Sequence, residues 1–356
     1  PDSVVRVASL SKVAVAIAVM RMVEARIFEL DRDVSDYLGF KLQNPAFPGI
    51  KVTLRQLLSH TSSFQDGDHY FIPLGATLKE EIETQAHWDV HHPPGVYFTY
   101  ANFNFVVIGT AMEAVTGERF DRLMQRLVLG PLDIHGCFNW ELCPESAVAN
   151  AAALYRTGPD ETHWNPTGAW VAQVDELHGR KPECPVRRNN PSAPCPLEDY
   201  RPGTNGALFS PQGGLRTSGV DLAKFASLLL GEGALNGTRL LTPETVREML
   251  TPQWRYTPES PNGDTENASI CAYGLSLQLT ARVRDPACRD DVFGDGRPRA
   301  GHLGEAYGLL GGLWVDMQAQ RATLYLITGT SDDPKHEVGS RSAFTRPEER
   351  AVDFAR

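Results

Sequence analysis

The chain has no apolar run of the roughly 18–20 residues that would cross a bilayer, and no surplus of positive charge. Its 34 Lys and Arg stand against 44 Asp and Glu, a formal net charge of −10. That balance argues against a nucleic-acid partner, which would want a basic face. Also missing are the CxxC pairs of zinc ribbons and redox dithiols, the HExxH of zinc peptidases, the GxSxG elbow of α/β-hydrolases, and any internal repeat. What remains is an ordinary globular composition, 42% hydrophobic and 22% charged over 356 residues. That length suits one large domain or two lobes.

Six cysteines fall as three local pairs: Cys137 with Cys143, Cys184 with Cys195, Cys271 with Cys288. Short separations make neighbour pairing the simplest connectivity. The Pro-rich, polar stretch between Cys184 and Cys195 looks like a stapled loop. Paired cysteines predict maturation in an oxidising compartment, periplasmic or secreted.

Along the chain, hydrophobic patterning predicts a buried helix over 9–28, a short helix within "VTLRQLLSHTSSF", and a charged surface helix over 78–87. After a Pro-Pro-Gly turn, an extended piece reaches Tyr100 and a helix follows, stopped by Gly117. An amphipathic helix is expected over 119–129. Residues 141–205 are dense in Pro, Cys, Asn and Gly and read as a loop-rich insertion. Thr217 or Ser218 caps a helix ending at Gly231, and Thr242-Pro243 opens another. Strand patterns occupy 272–283, 308–316 and 322–328, the last two as a hairpin around "MQAQR". No βαβ alternation is present, so the fold class is α+β: an antiparallel sheet flanked by helices beside a mostly helical lobe. A single domain over 1–356 is expected. Its α/β lobe takes 1–28 and 206–356, its helical lobe 29–140, and the insertion 141–205.

Three constellations can carry chemistry. In "SLSKVAVAIAVM", Ser9 and Lys12 are three apart at a helix mouth, so the amine can reach the hydroxyl. A desolvated lysine is a base for a serine nucleophile, and a helix start stabilises developing negative charge. In "YFTYANFNF", Tyr100 offers a phenol and Asn102 both a donor and an acceptor for a substrate amide. In "AGHLGEAYGLLGGLWV", His302-Leu303-Gly304 is expected just ahead of a strand. Gly304 would let substrate approach the backbone, and the next N–H, that of Glu305, would join that of Ser9 in an oxyanion hole. Each has a plain structural alternative: a capped helix, an aromatic core strand, a Gly-rich turn. Ser11 is a competing nucleophile, but it lies adjacent to Lys12 and about 100° away from it around the helix. His87 and His91 have the i, i+4 spacing of a zinc pair beside His92, but Pro93-Pro94 ends any helix there, and no metal site is expected.

Together, SxxK near the start, YxN about 90 residues on and HxG near the end resemble the penicillin-recognising serine hydrolases. The resemblance is to the branch of class C β-lactamases, D,D-carboxypeptidases and family VIII esterases. "VTLRQLLSHTSSF", "PPGVYFTYANFNFVVIGTAMEAVTG" and "SPQGGLRTSGVDLAKFASLLL" resemble further segments of that family, leaving only about 141–205 uncovered. It implies a β-lactamase/transpeptidase-like fold, no cofactor, and a small-molecule or peptide substrate. Ser9 would be the acylated nucleophile, with Lys12 and Tyr100 sharing proton transfer. Asn102, His302, Gly304 and Glu305 would bind substrate.

Leu303 departs from the Lys-Thr-Gly or His-Thr-Gly of many members and removes a hydroxyl that helps hold a substrate carboxylate. The expected function is therefore a serine hydrolase of small esters or amides, including D-amino-acid peptides. β-Lactamase or D-Ala-D-Ala carboxypeptidase activity is the alternative within the enzyme class. A catalytically silent binding protein of the same fold is the alternative outside it. Only eight residues precede Ser9, where the family has a strand pair and a helix, so the numbered chain is expected to be truncated at its start.

Overall fold

The structure, a computed structural model, describes residues 2–84, 86–158, 165, 167–330 and 338–355. Helix α1 spans Ser11–Glu24, and Lys12 to Met20 are buried without exception. The Val-Ala-Val-Ala-Ile-Ala-Val run alternates like a strand, yet a helix enclosed on all sides needs no polar face. The helix is shorter at both ends than the expected 9–28. Ala8 takes a left-handed φ of 48° and Ala8–Leu10 forms a 3-10 turn, so α1 proper begins at Ser11. At the other end Arg26 turns left-handed at φ 58° and stops it. Ser9 thus rides on a tight turn, in which residues three apart eclipse one another.

Helix α2, Phe103–Thr116, is buried from Phe103 to Glu113 and ends at Gly117, whose φ of 67° suits glycine. Helix α3, Gly219–Leu230, is capped by the Ser218 side chain, which accepts from the Asp221 N–H. The charged helix expected over 78–87 covers only Leu78–Glu83.

Six strands form an antiparallel meander in which spatial order follows chain order: β1 Trp254–Arg255, β2 Ala272–Tyr273, β3 Gln278–Thr280, β4 Arg299–Ala306, β5 Leu309–Asp316 and β6 Arg321–Thr328. The stretch expected as one strand over 272–283 is interrupted at 274–277. His302-Leu303-Gly304 lies inside β4 and not ahead of a strand. Its glycine and small residues hide a strand pattern that the pairing with β5 supplies.

Strand β5 is buried throughout. Leu313 and Val315 join the main core, while Trp314 faces a second cluster with Phe344 and Val352. Both faces are therefore covered, which explains the continuous apolar run "LLGGLWV". α3 packs on β5 and β6, as does helix α4, Arg346–Phe354. Hydrophobic patterning does not mark the latter, although Thr345 and Glu348 form a capping box ahead of it.

The insertion is mostly irregular. It nevertheless contains a hairpin, Leu154–Thr157 with Trp170–Val174, that its poor periodicity concealed; residues 159–164 and 166 lie outside the described ones. That hairpin packs on the sheet beside the site, its Tyr155 carbonyl occupying the space where a Cβ on Gly308 would stand. All three neighbour disulfides form, with Cα separations of 5.1, 5.7 and 5.9 Å.

Candidate active site

The turn before α1, the segment before α2 and strand β4 meet in a cleft of about 240 Å³. Ser9, Tyr100, Asn102, His302, Leu303 and Glu305 are among its lining. Lys12 lies beneath, fully buried, with three acceptors around Nζ: Ser9 Oγ at 2.9 Å, Asn102 Oδ1 at 2.8 Å and the Gln212 carbonyl at 3.0 Å. Burial pulls its ammonium down to about 7, and the charge of Asp66 works the other way. The Tyr100 hydroxyl donates to Ser9 Oγ at 3.0 Å. Burial holds that phenol well above its ordinary value, so it is protonated and can give a proton but not take one.

His302 is buried, and its Nε2 meets the Tyr273 hydroxyl at 2.7 Å while Nδ1 meets the Leu303 carbonyl at 2.5 Å. Burial, helped by Lys12, lowers it to about 3, and the ring is neutral. Among the described residues no lysine or arginine lines the cleft.

The hairpin between β4 and β5 sets the backbone of the site. Tyr307 and Gly308, at φ 60° and 82°, make its two-residue turn, so Ala306 and Leu309 form a hydrogen-bonded pair. Alternation then leaves Leu303 and Glu305 in non-hydrogen-bonded pairs with Gly312 and Leu310, their N–H groups directed to the other edge of β4. β3 pairs there only as far as Gly301, and the Ser9 turn packs against β4. The expectation for Gly304 needs correction. A Cβ there would stand 2.7 Å from the Val7 carbonyl, so its small size admits the Ser9 turn and not a substrate.

Four supporting residues were missed. Asp66 accepts from Asn102 Nδ2 at 2.8 Å and from the Phe103 N–H at 2.9 Å. His60 stacks on Tyr100 with centroids 4.4 Å apart, and its Nδ1 accepts from the Ala101 N–H at 3.1 Å. Tyr273 and the Gln212 carbonyl complete the set. The polar "SHTSSFQD" stretch signals the first two; nothing local signals the others.

Several candidates lie elsewhere. The Ser11 hydroxyl is buried, donating to the Ala8 carbonyl at 2.6 Å and accepting from the Leu215 N–H at 3.0 Å, which makes it a splint for the turn. His87 is buried outside any helix with Nε2 2.9 Å from Glu81, and His92 Nδ1 lies 2.6 Å from Asp89.

Residues 1–344 match the family model described as Beta-lactamase. Penicillin-binding protein 4 of Amycolatopsis lactamdurans is 28% identical over 246 residues, covering 68% of this chain and 55% of the relative. Protein Rv1367c of Mycobacterium tuberculosis is 25% identical over 294 residues, 79% of this chain and 63% of its own. The chain thus spans little more than half the length of these curated relatives. Among solved structures, the octameric penicillin-binding protein homologue from Pyrococcus abyssi superposes with a TM-score of 0.63 at 20% identity, over 94% of this chain and 64% of that one. The class C beta lactamase from Rhodobacter sphaeroides gives 0.63 at 16% identity, over 100% and 84%. These likenesses establish the fold.

Proposed function

The chain belongs to the Beta-lactamase family of serine hydrolases, and from that premise we propose that it cleaves small esters or amides, D-amino-acid peptides included, through an acyl-enzyme on Ser9. The observation that carries this reading is the buried Lys12, 2.9 Å from Ser9 Oγ and drawn down to about 7. A lysine placed there is costly to packing and serves as a base near neutrality.

In acylation, Ser9 Oγ attacks the substrate carbonyl and its proton passes to neutral Lys12. The N–H groups of Ser9 and Glu305 receive the oxyanion. As the bond to the leaving oxygen or nitrogen breaks, the Tyr100 hydroxyl supplies the proton that atom needs, and the Lys12 ammonium restores the phenol. Water then repeats the sequence on the acyl-enzyme, releasing acid and regenerating Ser9. The neutral, doubly bonded His302 and the apolar Leu303 disfavour substrates whose carboxylate must be held close to the scissile bond, such as penicillins and peptides cleaved at a terminal D-Ala. The three disulfides support maturation in an oxidising compartment, periplasmic or secreted.

The test is intact-mass analysis after mixing with p-nitrophenyl acetate and, separately, with a penicillin, for wild type beside Ser9→Ala. A Ser9-dependent acetyl adduct with turnover supports the proposal. Equal hydrolysis by Ser9→Ala would remove it, and turnover of the penicillin alone would favour the β-lactamase reading.

A further inference from the structure

Asp66 enters from the loop that follows "SHTSSF" and stands before the first turn of α2. A carboxylate only accepts hydrogen bonds, and Asp66 accepts two, from Asn102 Nδ2 at 2.8 Å and from the Phe103 N–H at 2.9 Å. With its NH₂ drawn to Asp66, the Asn102 amide must present its carbonyl to Lys12, where Oδ1 lies 2.8 Å from Nζ. The second carbonyl on Nζ, that of Gln212, is fixed by the backbone.

A neutral amine has two N–H groups and one lone pair. Two carbonyls take the N–H groups, and the lone pair is left for the third neighbour, Ser9 Oγ. With the amide reversed, Asn102 would donate to that lone pair and Lys12 would turn an N–H toward the serine. We propose that Asp66 is a positioning residue of this site, orienting Asn102 so that the free lone pair of Lys12 faces Ser9. The proposal rests on the reading of Lys12 as the base.

Charge acts in the same direction as geometry. Among the described residues the ionisable groups around Lys12 are Asp66, Tyr100, His60 and His302. The last three are neutral; burial raises Asp66, the hydrogen bonds from Phe103 and Asn102 and the charge of Lys12 oppose that rise, and the Asp66 carboxylate favours protonation of the lysine. Removing that charge makes Lys12 a weaker base, so its midpoint falls.

The experiment follows Lys12 directly, in protein labelled with ¹³C at lysine Cε, beside pH–rate profiles with p-nitrophenyl acetate. Asp66→Asn is expected to move the Lys12 midpoint and the acidic limb of kcat/KM down together, by about one pH unit. It should also lower kcat at the optimum by about tenfold or more. Asp66→Glu should restore both midpoints. If Asp66→Asn does not fold, Asp66→Ser is titrated in its place. A Lys12 midpoint equal to that of wild type in the charge-free variant overturns the proposal. Absence of Ser9-dependent turnover in wild type would instead overturn the hydrolase reading, and the NMR titration would still decide the role of Asp66.

Discussion

The Tyr273 hydroxyl donates to His302 Nε2, and that direction is dictated by the opposite side of the ring. There Nδ1 faces the Leu303 carbonyl, which can only accept, so Nδ1 carries the hydrogen and Nε2 the lone pair. Both nitrogens are spent and the ring is neutral, which leaves nothing at this position to attract a carboxylate. Matched substrates should show it. An uncharged amide or ester should exceed the analogue bearing a carboxylate in kcat/KM. Leu303→Thr, which returns a hydroxyl to the cleft lining, should raise the value for the carboxylate substrate several-fold, about 1 kcal/mol, and leave the neutral one unchanged.

The acidic limb of the pH–rate profile should have its midpoint near 7. Lys12 must be neutral to accept the Ser9 proton, and burial places its transition at about 7. Below that pH the ammonium forms and kcat/KM should fall tenfold per unit. His302 is deprotonated far below this range and should leave no inflection there. Titration of kcat/KM between pH 5 and 9 checks the limb, which should persist in deuterated buffer with the usual upward displacement.

Tyr100→Phe should lower kcat by roughly 10²–10⁴-fold, the range that one positioned acid commonly contributes. The ring would keep its stack on His60, so the thermal midpoint should change little. Because Lys12 is untouched, the acidic limb should stay where it is. Rapid mixing should show the loss in acylation of an amide more than in that of an activated phenyl ester, whose leaving group needs no proton.

The contrast between Ser9 and Asp66 shows what a sequence discloses about such a site. Ser9, Lys12, Tyr100 and Asn102 belong to short spacings whose residue types already imply proton transfer, and the structure brings all four together. Asp66 is hinted at only by the polar "SHTSSFQD" stretch, and Tyr273 by nothing local, because both meet the site through tertiary contacts. The fold divides similarly. α1 and α2 are long apolar segments with clear stops, whereas β4 is broken by Gly301 and Gly304 and becomes a strand only through its pairing with β5. The hairpin at Leu154–Thr157 sits in a polar insertion and depends on packing against the Tyr307-Gly308 turn.

Gly304→Ala tests whether the glycine of β4 serves fit or substrate. The added Cβ would stand 2.7 Å from the Val7 carbonyl and 3.1 Å from Leu10 Cγ, and the first of these is backbone that cannot rotate away. Strand and turn must separate, at a cost of about 1–3 kcal/mol for overpacking, seen as a thermal midpoint several degrees lower. The same separation moves the Glu305 N–H away from Ser9, so kcat should fall by about tenfold or more while KM for a small neutral ester changes little. Were the glycine there to admit substrate, KM would rise with substrate bulk and the thermal midpoint would hold. Melting curves together with a series of acyl chain lengths separate the two.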